Sequence, residues 1–269
     1  GFGVSRPGPD REYLPPVDRF RLQYAKRGRM RFASHRDFQR ALERAIRRAG
    51  VPMAYSAGFS PHPKISYANA APTGAASEAE YLEIGVMAHL DPERLRSALD
   101  ESLPTGFDIV DVVRATTPDF ANRLEASVWR IALPGVAVDD AAAALAALQG
   151  AEQVEVQRMT KKGLRTFDVK PALLTAQCVA DHTGCAILTL VVRHGTPSVR
   201  PDDVLAGLAQ VAALAPPSPP QVTRLAQGPL GEDHGSVTDP LAPDRAAETP
   251  TGVDGGEAGR RPTSSAPGQ

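Results

Sequence analysis

The sequence predicts an α+β fold: two tandem ferredoxin-like (βαββαβ) domains with antiparallel sheets, and a disordered C-terminal tail. Segments with strand or helix periodicity occur in the order strand, helix, strand, strand, helix, strand, and this order occurs twice. From Gly231 onward large apolar residues are almost absent, so that part cannot bury enough surface to order itself. The predicted parts are a flexible N-terminal arm (1–18), a first domain with a basic face (19–118), a second domain (124–228) and the tail (229–269).

The first unit begins with apolar and polar residues that alternate from Phe20 to Tyr24, which predicts a half-buried strand. Residues 30–32 predict a second extended segment, so that the two form a hairpin. Ser34 is placed to cap a helix from His35 to Ala49. The remaining predicted elements are a short strand (64–68), a strand (81–87), a helix (91–103) and a strand (107–113).

The second unit shows the same pattern without a close sequence repeat. Its predicted elements are a strand (128–133), an Ala-rich helix (139–148), a hairpin around Lys161–Gly163, two extended segments (178–180 and 186–192), a helix from Pro201 and a closing strand (222–225). Together the two units predict helices packed on one face of each antiparallel sheet.

A strongly basic stretch lies in the first unit. Between Arg19 and Lys64 there are twelve Lys or Arg and two acids, whereas the whole chain has 30 bases and 31 acids. Such a surplus predicts a surface that attracts a polyanion. On the predicted helix, Phe38, Leu42 and Ile46 form an apolar stripe, and the arginines form a separate stripe with few acids in pairing range.

Arginine suits bidentate contact with phosphate, and exposed aromatic rings can stack on RNA bases. RNA is favoured over DNA because the sequence has no helix-turn-helix or zinc motif. The alternative is a solvated helix face without a ligand. The predicted nucleic-acid-binding residues are Arg21, Lys26, Arg27, Arg29, Arg31, Arg36, Arg40, Arg44, Arg47, Arg48 and Lys64, with Tyr55 and Phe59 as stacking residues.

The loop GFSPHPK (58–64) places His62 between two prolines and two residues before Lys64. One interpretation makes His35, His62 and Lys64 candidate catalytic residues that cleave RNA through its 2′-hydroxyl. The favoured interpretation gives both histidines structural roles. Neither histidine has Cys, Asp or Glu at ligand spacing, so no metal site and no cofactor are predicted.

Cys178 and Cys185 form no CxxC pair, which indicates a reducing compartment, and no apolar run is long enough to span a membrane. We therefore expect a cytoplasmic protein without a membrane partner. The tail from Gly231 onward holds seven acids and three bases, so it could shield the basic surface in cis.

The run from Tyr24 to Ile84 (YAKRGRMRFASHRDFQRALERAIRRAGVPMAYSAGFSPHPKISYANAAPTGAASEAEYLEI) resembles the radical-SAM-linked family of uncharacterised proteins. DVKPALL and SVRPDDVL resemble motifs of that family's second half. Members occur fused behind a radical SAM enzyme or free-standing, and this chain resembles the free-standing form. It lacks the CxxxCxxC cluster motif, so no radical chemistry is carried over. The resemblance implies genomic proximity to a ribonuclease of the E/G type and to ribosomal protein genes.

The leading hypothesis is therefore a non-catalytic RNA-binding protein or substrate-recognition adaptor linked to RNA processing, modification or ribosome function. One alternative is a metal-independent ribonuclease or an accessory enzyme of RNA modification. Another is a docking partner of a separate radical SAM enzyme. Besides RNA, the expected partners are such an enzyme, a ribonuclease or a ribosome component.

Overall fold

A computed structural model describes residues 13–248, which form a mixed α/β fold with one large, mostly antiparallel sheet. In chain order the strands are β1 (Asp18–Lys26), β2 (Ile65–Ala68), β3 (Ala76–Val86), β4 (Phe107–Arg114), β5 (Ala126–Ala137), β6 (Glu155–Thr160), β7 (Gly163–Asp168), β8 (Leu173–Ala180), β9 (Cys185–Arg193) and β10 (Gln221–Gly228). The α-helices are α1 (His35–Ala49), α2 (Pro92–Ser102), α3 (Phe120–Arg123), α4 (Val138–Gly150), α5 (Pro201–Ala212) and α6 (Ala242–Glu248).

The two halves of the described chain share one continuous sheet with the strand order β4-β1-β3-β10-β5-β9-β8. One side of β3 carries two partners: β2 pairs with its C-terminal part, and β10 pairs in parallel at Ala76 and Ser77. The other neighbours are antiparallel, and β6 and β7 form a separate hairpin. The sequence predicted an antiparallel sheet for each half, and the structure joins the strands of both halves in one sheet. An edge strand has unpaired backbone groups, and the β3–β10 pair satisfies some of them.

Alternation along β1 assigns its side chains to two faces of the sheet. Phe20, Leu22 and Tyr24 are buried with residues of α1 and α2 in the first core. Arg21 lies on the opposite face, because successive side chains of a strand point to opposite sides. In the second half, β5 and β9 contribute to another core with α4 and α5.

The predicted bounds and N-cap of helix α1 are confirmed: it runs from His35 to Ala49 and is capped by Ser34. The Ser34 hydroxyl accepts a hydrogen bond from the Asp37 backbone N–H at 3.1 Å, and the Asp37 carboxylate accepts one from the Ser34 backbone N–H at 2.9 Å. Gly50 ends the helix at φ 69°, a conformation that glycine adopts without strain. The buried side of α1 contains Phe38, Leu42 and Ile46, as its apolar periodicity predicts.

The sequence predicted an extended segment at residues 30–32, and this prediction is wrong. Gly28–Phe32 is a 3-10 helix, in which the Met30 N–H donates to the Arg27 carbonyl at 3.0 Å. The Arg27 N–H donates to the Gly106 carbonyl at 2.8 Å, so the chain turns at the start of β4 instead of forming a hairpin. Three residues carry too little periodicity to separate a strand from a 3-10 turn.

The predicted disorder of 229–269 is wrong for residues 229–248, which we call the C-terminal segment. Leu230 and Val237 form a β-bridge, and α6 follows. Leu241 and Asp244 are completely buried against the first half, so a few anchoring side chains order a segment of polar composition. Residues 249–269 lie outside the described range.

The predicted N-terminal arm (1–18) is also described in part. The Val17 N–H donates to the Val86 carbonyl at 2.9 Å, and Asp18 already belongs to β1. Residues 1–12 lie outside the described range. Strand pairing thus begins before the first clearly alternating residue.

Candidate nucleic-acid interface

The exposed side of α1 is lined by arginines. Five arginines have guanidinium groups that make no hydrogen bond or ion pair within residues 13–248. They are Arg36, Arg40, Arg44, Arg47 and Arg48. The period of 3.6 residues per turn places them opposite the buried stripe, as predicted. Of the two acids on α1, Asp37 is used in the capping box and Glu43 is exposed.

The 3-10 helix that leads into α1 adds to this surface. Arg29 is exposed and makes no hydrogen bond or ion pair in the described part of the chain. Phe32, in the same 3-10 helix, is 70% exposed. We call the five α1 arginines together with Arg29 and Phe32 the basic face.

Arg21 and Lys26 do not belong to the basic face. The Arg21 guanidinium is buried on the opposite side of the sheet, where it bonds Asp244 at 2.8 Å and Glu83 at 3.2 Å. Lys26 is only 5% exposed, its ammonium lies 3.5 Å from the Pro72 carbonyl oxygen, and burial lowers the pKa of Lys26. Neither side chain is placed to contact an external phosphate, because strand alternation directs Arg21 to the opposite face and burial encloses Lys26.

Arg27 and Arg31 are engaged in contacts within the fold. Arg27 donates to Glu78 at 2.7 Å and to Asp108 at 2.9 Å. The Arg31 guanidinium donates to the Gly74 carbonyl at 3.1 Å and to the Val222 carbonyl at 2.8 Å, so it joins the two halves. These partners are distant in sequence, and sequence reasoning could not identify them.

The GFSPHPK loop lies between Tyr55 and Lys64. Phe59 is fully exposed, whereas Tyr55 is partly buried against the first core. The His62 Nδ1 lies 3.0 Å from the Ser56 hydroxyl. The Lys64 ammonium donates to the Tyr13 hydroxyl at 2.6 Å. Phe59 is thus the predicted stacking residue that the fold leaves open to solvent.

His35 is half-buried at the first turn of α1. Its ring packs edge-on against Tyr67 with 4.8 Å between ring centroids, and it lies 3.1 Å from the Gln39 amide. Burial lowers the pKa of His35. His35, His62 and Lys64 share no hydrogen-bond or ring partner within the described residues, so no such interaction links them in a catalytic cluster.

A polar cluster at the junction of the two halves was not foreseen from the sequence. The His194 Nδ1 lies 2.6 Å from the Leu124 carbonyl, and its Nε2 lies 2.7 Å from the Ser127 hydroxyl. A carbonyl oxygen can only accept, so Nδ1 carries the proton and Nε2 accepts from Ser127. Ser127 is buried, and His194 lies about seventy positions after Leu124 and Ser127, so the sequence does not suggest that they are partners.

His194 predicts a pH dependence of stability. Burial lowers the pKa of His194 below 6.5; the hydrogen bond to the Leu124 carbonyl opposes this shift, and the nearby Arg224 charge adds to it. As the pH falls below 6.5, the unfolded state takes up the proton first. The free energy of unfolding therefore decreases, by at most about 1.4 kcal/mol per pH unit for one proton. We expect thermal midpoints to fall between pH 7 and pH 5, and less steeply in His194→Gln than in the exposed control His182→Gln. Equal slopes in the two variants would contradict this expectation.

The fold and the basic face define a mixed α/β protein with an arginine-lined helix on one side of a continuous sheet. Residues 19–201 match the family described as "Uncharacterized protein conserved in bacteria" (DUF2344), and the chain belongs to this family. A search of curated proteins found no match. Within residues 13–248, no helix is long and apolar enough to cross a membrane, and no group of three potential metal ligands occurs.

Proposed function

We propose that this protein binds RNA through the basic face, as a recognition subunit rather than as a catalyst. The observation that supports the proposal is the set of five exposed α1 arginines without ion-pair partners in the described chain. Each guanidinium presents a planar set of donors that matches phosphate oxygens.

The spacing of the arginines along α1 gives a second physical reason to expect that this helix binds a polyanion. Arg36, Arg40, Arg44 and Arg48 follow one another at intervals of four residues. Like charges at this spacing destabilise a helix by about 0.2–0.5 kcal/mol per pair. An anion along the helix relieves this repulsion. The series extends over about 18 Å at 1.5 Å per residue, which is long enough for several phosphates of one strand.

Exposed aromatic rings favour single-stranded or unpaired RNA. Phe32 belongs to the basic face, and Phe59 is exposed on the GFSPHPK loop. Bases of unpaired RNA stack on such rings, whereas the bases of a duplex are stacked on one another. We therefore propose RNA loops or single strands as the ligand, and a cytoplasmic location follows from that ligand.

We also infer that each half is a ferredoxin-like unit. Counted from its own first strand, each half has the order 4-1-3-2, namely β4-β1-β3-β2 and β10-β5-β9-β8. In this inference the β6–β7 hairpin is an insertion in the second unit, and the β3–β10 pair joins the units. Small sheets of this kind are frequent in RNA-binding modules.

A second candidate function is docking to a separate radical SAM enzyme, a ribonuclease or a ribosome component. The fully exposed ring of Phe59 favours it, because exposed aromatic residues are enriched among interface anchors. Co-purification that survives nuclease treatment and is lost in Phe59→Ala would support docking. Cleavage of RNA by His35, His62 and Lys64 is not favoured, since no contact brings the three together.

The test is a fluorescence-anisotropy titration with a labelled single-stranded RNA at several salt concentrations. Contact with six phosphates gives a slope of log K against log salt of about −4. Arg44→Gln with Arg48→Gln should bind at least about tenfold more weakly and make the slope less steep by about 1.4. The matched control is Arg165→Gln with Arg193→Gln, two exposed arginines outside the basic face, and it should change little. Equal losses in both double variants, or binding that is independent of salt, would refute the proposal.

A further inference from the structure

The C-terminal segment crosses the sheet face opposite α1. It is held by three buried residues, Pro240, Leu241 and Asp244, while most of its other side chains are exposed. Helix α6 has seven residues, which is too short to be stable as an isolated helix. The segment is therefore ordered by what it contacts in the first half.

Asp244 is the main polar anchor. Its carboxylate accepts two bonds of 2.8 Å from Arg21 and one of 3.0 Å from Arg123. The backbone N–H groups of Thr116 and Thr117 both donate to it at 2.9 Å, and the Thr117 hydroxyl donates at 2.7 Å. Although burial alone would raise the pKa of Asp244, the hydrogen bonds from Thr117 and Arg21 hold it below its ordinary value. These donors together recognise a carboxylate.

Leu241 is the apolar anchor. It is completely buried in a small core with Tyr81, Val113 and Phe120. The Phe120 ring also lies beneath the cationic donors, 5.0 Å from the Arg21 guanidinium carbon and 5.8 Å from that of Arg123. The two anchors, one in an apolar pocket and one in a carboxylate site, are thus three residues apart along the C-terminal segment.

The walls of this groove come from outside the C-terminal segment. Arg21, Thr116, Thr117, Phe120 and Arg123 belong to β1, to α3 or to the link between β4 and α3. An open cleft of about 340 Å³ beside Arg21, lined in part by Phe120, lies on the α3 side of the groove. The groove has the parts of a peptide site, and the segment occupies it with two anchors, as a peptide ligand does.

We propose that this groove is a docking site for acidic peptides of the form Leu-x-x-Asp, and that the C-terminal segment fills it in cis and excludes competing peptides. A peptide is favoured over a free phosphate because Arg21 bonds both oxygens of a planar carboxylate and the leucine pocket is part of the same site. The groove lies on the other side of the sheet from the basic face, so this proposal does not rest on RNA binding.

The experiment supplies the ligand in trans. The full chain with Leu241→Ala and Asp244→Ala empties the groove, and a fluorescein-labelled peptide of residues 238–248 (TDPLAPDRAAE) is titrated against it. A tethered segment acts at an effective concentration near millimolar, so the emptied chain should bind the peptide on the order of a hundredfold more tightly than the native chain. The control peptide TDPLAPNRAAE should bind at least tenfold more weakly, and adding Arg123→Gln to the emptied chain should abolish binding.

The proposal is overturned if the double variant folds but does not bind the peptide, or if it binds the native and the control peptide with equal affinity. Displacement of the peptide by inorganic phosphate at low millimolar concentration and matched ionic strength would overturn it in favour of a simple oxyanion site. If the double variant does not fold, a protease site inserted at the exposed Gly235 makes the native segment detachable. After cleavage, excess labelled peptide should replace the segment, and a failure to exchange would refute the proposal.

Discussion

Replacement of Glu80 by alanine is expected to lower the free energy of unfolding by about 3–5 kcal/mol. Glu80 is 3% exposed, and its carboxylate accepts a bond of 2.7 Å from the buried guanidinium of Arg224. The other carboxylate oxygen accepts from the Ala71 N–H at 2.7 Å. Removal of Glu80 leaves a buried cation without its counter-charge, because Arg224 is enclosed beside the Trp129 ring.

Chemical denaturation followed by circular dichroism measures this loss. The matched control is Glu78→Ala, two positions away on β3, where an exposed carboxylate pairs with Arg27. Exposed pairs contribute about 0–1 kcal/mol, so the control should change little. The double replacement Glu80→Leu with Arg224→Met should be less destabilising than Glu80→Ala, since no buried charge remains. If Glu80→Ala lowers the free energy of unfolding no more than Glu78→Ala does, the buried Glu80–Arg224 pair does not have the stabilising role described here.

Replacement of Phe38 by alanine should also destabilise the fold by about 3–5 kcal/mol, since it leaves a cavity beneath α1. The Phe38 ring stacks on Tyr24 with 3.9 Å between centroids and meets the Phe107 ring edge-on at 5.1 Å. It is 1% exposed, so every one of these contacts is lost from a closed core. Together with Leu42 and Ile46, Phe38 thus packs α1, which carries the arginines of the basic face, against the sheet.

The control for Phe38 is the same substitution at Phe32, which is 70% exposed. Phe32→Ala should change the free energy of unfolding by less than about 0.5 kcal/mol. The two variants separate stability from binding: Phe32→Ala should weaken RNA binding in a stable fold, if the ring stacks on bases. Comparable unfolding curves for the two variants would contradict the packing described for α1.

Local sequence was sufficient to predict the bounds and faces of α1 and to predict β1 as a half-buried strand. The Ser34 cap, the stop at Gly50 and the apolar stripe with Phe38 all depend on residues within a few positions of one another. The outward position of the α1 arginines follows from the same periodicity, and the structure has them there. Periodicity is a local property, so the sequence alone determined this helix and its two faces.

Whether the other basic side chains are exposed or paired depends on contacts with distant parts of the chain. Arg21 is neutralised by Asp244 and Arg31 bonds the Val222 carbonyl, both about two hundred positions or more away in sequence. No local pattern records such partners. Local composition therefore predicted a larger basic surface than the fold leaves exposed.

Apart from residues 30–32 and the short helices α3 and α6, the sequence by itself determined the order of strands and helices. It also determined the arginine-lined helix and its buried stripe, because these follow from spacing within one element. Only the tertiary structure decided that β3 and β10 join the halves into one sheet and that residues 229–248 are ordered. Strand pairing and the burial of anchors such as Leu241 and Asp244 depend on surfaces that exist only after distant segments have come together.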